Sequence, residues 1–335
     1  MSEKNKTILI RIFFFIFFYM IMFFANRVLA YKNMHGTWQA RALYMQPRNT
    51  VDVVMLGTSH IHCDVNTAVL WRDYGIAAYD YSAAEQPLWV TYYYLKEFCK
   101  YQTPKVAVLD LYAPARFNDD FNKQWLKDNL HGVRFSLNKI RMMLDTCTPE
   151  EFDRYLIPLW GYHSRYDELT NEDWDYMIPS KKEADFKGYT PFFDVIEDMQ
   201  PELGEVEKGN LPPKSEIYLQ KIIDYTRENG IELFLVVNPY PSTAEEKETY
   251  DRIEEMALEQ GILYRNTNFD SAFMGLDYNK DYNDASHLNY NGSVKFSDYL
   301  GMMLKFNFDI PDRRGDPDYI TWDNNVKLVE DAAIR

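Results

Sequence analysis

Short apolar runs alternate along this chain with stretches whose apolar positions recur every three or four residues. The β-branched run at 51–56 predicts a buried strand, and the pattern over 66–74, closed by Gly75, predicts a helix. Residues 76–81 read as a second strand, and 105–111 as a third. Between them, 87–101 reads as an aromatic-rich helix in which Tyr92, Tyr93 and Tyr94 pack. Further on, a helix over 215–229 stops at Gly230, and residues 231–237 form a fourth strand. A helix over 243–260, a short fifth strand near 262–266 and a last helix over 292–304 complete the pattern. Such alternation predicts an α/β fold of about five parallel strands with helices on both faces.

Two segments fall outside this rhythm. Residues 113–213 separate the third and fourth strands, with helical pieces near 135–145 and 149–159 and then loops rich in Pro, Lys and Glu. That is too long for an ordinary crossover and reads as a cap inserted beside the C-terminal edge of the sheet. The domain thus spans 51–305 with an inserted cap at 113–213, and polar residues 306–335 strap its surface.

The other exception is the N-terminus. Residues 12–26 carry no charge and include seven Phe, and extending back to Thr7 adds only Arg11 as an interruption. A helix of about 20 residues crosses a hydrocarbon core of about 30 Å. Lys4, Lys6 and Arg11 lie at or before the start of the run, with Arg27 and Lys32 after it, a small bias that puts the start in the cytoplasm. Residues 1–30 are therefore read as a single-pass signal anchor, held in the membrane by 8–26, with 31–50 as a juxtamembrane linker and the body extracytoplasmic. Val28-Leu29-Ala30 also suits a cleaved signal peptide, and Arg27 beside it argues against cleavage.

Charge narrows the partners. With 36 Lys+Arg against 51 Asp+Glu, the net charge is −15. Nucleic acid is excluded as a partner, because phosphate contacts need surplus Lys and Arg. Cys63, Cys99 and Cys147 are odd in number and widely spaced, which gives neither a disulfide framework nor a zinc pattern. His60 and His62 with Cys63 raise the question of a metal, but alternate positions on an irregular turn rarely converge. No metal and no cofactor are expected.

The chemistry lies at the two ends of the α/β pattern. The first strand runs into Gly57-Thr58-Ser59-His60, which sets Ser59 at a strand C-terminus, where open α/β sheets place their sites. A serine hydroxyl is a weak nucleophile at neutral pH and needs a base. Far downstream comes Asp284-Ala285-Ser286-His287-Leu288-Asn289. An Asp and a His three residues apart in one turn can face the same side, the carboxylate holding the imidazole tautomer that takes the serine proton. Either block alone is a weak signal. Their pairing after the first and last strands makes Ser59, Asp284 and His287 the candidate triad.

In these blocks the chain resembles the SGNH/GDSL hydrolase superfamily. There a Gly-Asp-Ser-type block supplies the nucleophile and a late Asp-x-x-His block the acid and base. The anchor and the Asp-x-x-His-Leu-Asn run look most like its membrane-anchored, extracytoplasmic branch, which includes the DltD-like proteins of teichoic-acid D-alanylation and the O-acetylation partners of membrane-bound acyltransferases. The resemblance covers roughly 50–112 and 214–305. It implies a three-layer flavodoxin-like SGNH fold and acyl-ester chemistry, as esterase or O-acyltransferase, on a cell-envelope glycan or related polymer. It also implies a membrane-bound O-acyltransferase as partner. A non-catalytic SGNH-like partner protein is the alternative.

Thr58 stands where the superfamily has Asp, a variation the anchored branch shares. The oxyanion donors depart further: Ser82 to Pro87 follow the second strand without a Gly, and no Gly-x-Asn-Asp block occurs. Two stand-ins are Gln86 and Asn238, each with a second role open as a loop-stabilising amide. A missing donor costs about 2.7–4 kcal/mol of transition-state stabilisation. In the insertion, Trp160, His163 and Arg165 are substrate-binding candidates, with Trp125 and Tyr162 as groove aromatics; surface ion pairing is the other role open to His163 and Arg165.

Overall fold

The computed structural model describes residues 2–116, 123–156, 158–177, 186–196 and 211–334. Much of the Lys- and Glu-rich part of the insertion lies outside them. Five strands, β1 (Val53–Leu56), β2 (Ala78–Asp80), β3 (Val106–Asp110), β4 (Glu232–Val237) and β5 (Leu263–Asn266), form one sheet in the order β2-β1-β3-β4-β5. All four pairings are parallel. Each strand lies inside its predicted run, trimmed by one to two residues where flanking residues turn out of the ladder.

The chain divides into two compact units, one of residues 1–32 with 147–182 and one of 33–146 with 183–335. The first contains helix α1 (Glu3–Leu29), long and apolar enough to cross a membrane. Its side chains from Ile8 to Phe24 are mostly exposed, which no helix packed in a soluble core shows.

The second unit carries the sheet. Helix α2 (Thr37–Leu43) occupies the segment expected to be a linker, and Thr37, Gln39, Ala40, Ala42 and Leu43 are all buried. Gln39 donates to the Gly188 carbonyl and Thr190 Oγ1, and Tyr79 donates to the Gln39 carbonyl. These long-range bonds override a mixed polar composition that reads as loop. Helices α3 (Ser59–Asp64), α4 (Thr67–Tyr74), α5 (Leu88–Phe98), α6 (Pro213–Glu228), α7 (Ala244–Glu259), α8 (Tyr290–Asn307) and α9 (Ile320–Ala333) cover the sheet or pack on those that do.

Strand residues alternate between two buried faces. Val53, Met55, Val106, Val108, Phe234 and Val236 pack against Phe296, Leu300 and Leu304 of α8. Their alternates Val54, Leu56, Ala107, Leu109 and Leu235 are also fully buried. This two-sided burial is why the strands read as continuous apolar runs. Gly301 lets α8 approach α4, since a Cβ there would stand 2.4 Å from the Tyr74 ring. The C-terminal strap is itself helical: α9 packs on α4, with Trp322 and Val329 buried and the Tyr319 and Trp71 rings stacked.

Strand order reverses direction at β1, so the crevice outside the C-terminal ends of β1 and β3 is where a doubly wound sheet accepts ligands. Ser59 stands there, as the first residue of α3.

Candidate active site

Thr58 caps α3, its hydroxyl accepting from the His60 N–H at 3.3 Å. The same hydroxyl donates to Asp110 Oδ2 at 2.8 Å, and the Asp110 carboxylate also accepts from the Thr58 and Tyr112 N–H groups. Asp110 ends β3, so the Gly57-Thr58-Ser59 turn is fastened to the neighbouring strand. Gly57 is required here: its φ is +140°, and a Cβ would stand 2.7 Å from Asp110 Cβ. Burial pushes the Asp110 carboxyl up to about 6 against the pull of its Thr58 and Tyr112 bonds.

The two distant blocks meet. Ser59 Oγ lies 2.8 Å from His287 Nε2, and His287 Nδ1 lies 3.0 Å from both oxygens of Asp284. Asp284 Oδ1 also accepts from the Ser286 and His287 N–H groups, each at 2.9 Å, so one tight turn orients base and carboxylate together. Burial raises the Asp284 carboxyl, but the His287 bond and charge with those N–H groups outweigh it and hold the group well below the carboxylate range. Asp284 stays ionised and accepts from Nδ1, so in the neutral imidazole Nε2 is the acceptor facing Ser59.

Further residues brace this line. Asp64, at the end of α3, is fully buried and accepts the Leu288 N–H at 2.9 Å. It thereby ties the helix that begins at Ser59 to the residue after His287. Asn289 caps α8 through the Gly292 N–H and donates to the Lys280 carbonyl at 2.7 Å. Nothing in the spacing singled out Asp64 or Asp110. The available signal was a carboxylate inside or at the end of an apolar run, as in Ile61-His62-Cys63-Asp64-Val65 and in Val106-Ala107-Val108-Leu109-Asp110.

The oxyanion stand-ins part company. Asn238 donates its amide to the His60 carbonyl at 2.7 Å, a bond that ties it to α3. Gln86 is fully buried, accepts from Thr91 Oγ1 at 3.0 Å, and its Nε2 has no partner among the described residues. The Gln86 loop runs beside the Gly57-Thr58-Ser59 turn, with the Ala83 N–H bonded to the Gly57 carbonyl. As first residue of α3, Ser59 offers an N–H that helix geometry leaves without an intrahelical acceptor.

Four of the six histidines gather in this unit's site. His60 stacks on Tyr112 at 4.0 Å between ring centroids, stands edge-on to Tyr240 and lies 5.1 Å from the His287 ring. His62 Nδ1 is 2.9 Å from Ser82 Oγ, and its Nε2 is 3.4 Å from Nδ1 of His35, a residue of the supposed linker. Phe192 sits 6.1 Å from the His35 ring and 6.2 Å from the His287 ring, and Trp125 lies 6.1 Å from His35. The insertion thus delivers Trp125 and Phe192 to the site.

His35, His62 and Cys63 also bring possible ligand atoms within 4.8 Å of one another. In this arrangement the two imidazoles hydrogen-bond each other and Ser82, and burial, with Asp64, Asp284 and Asp80, pushes the Cys63 thiol well up. The two imidazoles thus form a hydrogen-bonded chain that runs to Ser82. His60 is not in it: its ring nitrogens have no hydrogen-bond partner among the described residues.

Trp160, His163 and Arg165 belong to the other unit. Arg165 Nη1 donates to the Leu29 and Ala30 carbonyls at 2.7 and 2.8 Å, and His163 Nδ1 lies 2.9 Å from the Trp160 carbonyl. Arg165 also pairs with Asp173 and Glu168, so the ion-pairing role is realised there, within the fold around α1.

The buried histidine gives a pH prediction. Burial, then the His287 charge, holds the His60 imidazole well below its ordinary 6.5. The folded chain keeps it neutral where the unfolded chain protonates it. Its contribution to stability is full above about pH 6.5 and is lost as pH falls below that. Asp64, Asp80 and Asp110 act oppositely, because their raised values let the folded chain keep protons that the unfolded chain releases. A variant comparison isolates the histidine. In His60→Phe, the urea-derived unfolding free energy should respond to acidification from about pH 6.5 to 5 less adversely than in wild type, by up to about 1.4 kcal/mol per pH unit. Equal slopes in the two proteins would mean that His60 is not held neutral.

Comparison with protein-family models and with curated proteins finds no match to this chain.

Proposed function

We propose that this chain is a membrane-anchored serine esterase or O-acyltransferase. It would work through an acyl-Ser59 intermediate on a cell-envelope glycan or related polymer, with its body outside the cytoplasmic membrane. One observation carries the reading: the unbroken line from Ser59 Oγ through His287 to the ionised Asp284.

In the first half-reaction Ser59 Oγ attacks the ester carbonyl and its proton passes to His287 Nε2. The imidazolium, held by Asp284, then protonates the departing alkoxide as the tetrahedral centre collapses to the acyl-serine. In the second, His287 takes a proton from water or an acceptor hydroxyl, which attacks the acyl group and releases Ser59. The Ser59 N–H and the unpartnered Gln86 amide are the donors proposed for the oxyanion.

The paired blocks, the sheet order and α1 support the SGNH-like reading and, with it, a membrane-bound O-acyltransferase as partner. A second reading, a non-catalytic SGNH-like partner of such an acyltransferase or of an acyl carrier, draws on one fact: the Asn238 amide donates to the His60 carbonyl inside the fold. A fluorophosphonate probe separates the two. Covalent labelling of full-length protein at Ser59, located by peptide mass spectrometry and blocked by His287→Ala, is the expected result. A protein that stays unlabelled while folded would support the partner role.

A further inference from the structure

Helix α1 spans about 40 Å at 1.5 Å per residue, longer than a hydrocarbon core of about 30 Å. Its exposed side chains are apolar from Ile12 to Phe24, and then the chemistry changes within one turn. Asn26 accepts from Tyr162 Oη at 2.9 Å, and Arg27 Nε donates to the Tyr176 carbonyl at 2.8 Å. The carbonyls of Val28, Leu29 and Ala30, which a helix C-terminus leaves without intrahelical partners, are taken by Lys32 Nζ and Arg165. Both cations are held by Asp173, whose carboxyl is lowered by Lys32, the Thr170 N–H and Arg165 against its burial. Tyr162, Arg165, Asp173 and Tyr176 thus build a polar socket around the last turn of α1, where hydrocarbon cannot satisfy backbone groups.

On the same unit the surroundings of this socket are aromatic and apolar. Trp160, Tyr166 and Trp174 are 55%, 73% and 54% exposed. Beside α1 lies a groove of about 230 Å³ lined only by apolar side chains, among them Phe24, Val28, Leu29, Leu169, Trp174 and Met177. Exposed Trp in a small unit is unusual, and Trp and Tyr concentrate where a bilayer meets water. The groove opens along the very helix whose apolar run precedes it, so what covers that run also reaches the groove.

We propose that the described residues 147–156 and 158–177 form an interfacial collar, seated on the bilayer at the C-terminal end of α1, whose apolar groove takes a phospholipid acyl chain. The collar fixes the depth of the anchor: polar bonds end the span at Asn26, and Trp160, Tyr166 and Trp174 lie in the headgroup layer. Arg165 is then a cap on the membrane helix. The proposal rests on α1 crossing a membrane and is independent of the ester chemistry.

The test uses full-length protein in phosphatidylcholine nanodiscs, with and without lipids brominated at carbons 6 and 7 of one chain. Brominated lipid should quench tryptophan emission in wild type, and the Trp160→Phe/Trp174→Phe double variant should lose at least half of that quenching. Each single variant, which leaves one reporter in place, should lose part of it. The proposal is overturned if the double variant, co-eluting with discs, is quenched like wild type, or if wild type in discs is not quenched. Failure to enter discs would overturn the membrane span itself, and with it the collar.

Discussion

Ser59→Ala is expected to lower turnover of an activated aryl ester by about 10⁶-fold, to the level the rest of the site sustains unaided. His287→Ala should fall about as far, because the two act as a unit across 2.8 Å and neither works alone. Asp284→Asn should cost about 10⁴-fold, since an amide no longer holds the proton on Nδ1. The double variant Ser59→Ala/His287→Ala should be no worse than either single one. Melting temperatures of the serine variant should match wild type, because Ser59 is a half-buried surface position of a short helix. Wild-type turnover in Ser59→Ala, on an ester the wild type cleaves, would remove Ser59 from the chemistry.

The next largest effect is expected at Asp64, which touches no reacting atom. Asp64→Ala leaves the Leu288 N–H unpaired in a fully buried position. An unsatisfied buried donor costs about 1–3 kcal/mol, so the variant should melt well below wild type. Where it remains folded, loss of the tie between α3 and the His287 turn should lower kcat by about 10²-fold, the scale of a 1 Å misplacement. KM should change little, since Asp64 faces the fold. Asp64→Asn still offers an oxygen to the Leu288 N–H and should recover most of kcat. The measurement is steady-state kinetics on both variants, with the rate of fluorophosphonate labelling as a second readout. If the alanine variant is folded and labels at the wild-type rate, Asp64 does not position the base.

Much of this site was legible because its parts are local. Gly57-Thr58-Ser59 must turn directly after a buried strand, and Asp284 to His287 is a single turn closed by its own N–H bonds. The bracing residues are not local. Asp64 and Leu288 lie far apart in the chain, and a lone carboxylate in an apolar run does not say which N–H it will meet. His35 carried no signal, because its segment reads as a linker until Gln39 and Tyr79 pull it onto the body.

The insertion shows the limit most plainly. As sequence it is one interruption after β3, and Trp125 and Trp160 look alike in it. In three dimensions Trp125 lies against His35, while Trp160 and Arg165 fold with α1. The sequence by itself determined what repeats along the chain: five strands, their covering helices, the apolar N-terminal helix, and the serine and Asp-x-x-His blocks at the strand ends. Periodicity is a local property of backbone geometry and survives without knowing the partner. The tertiary structure alone decided that Asn238 bonds the His60 carbonyl while Gln86 Nε2 stays unpartnered among the described residues, which carboxylate ties α3 to the His287 turn, and which parts of the insertion pack beside His35. Those outcomes depend on hydrogen-bond partners distant in sequence, and only the folded chain sets their distances.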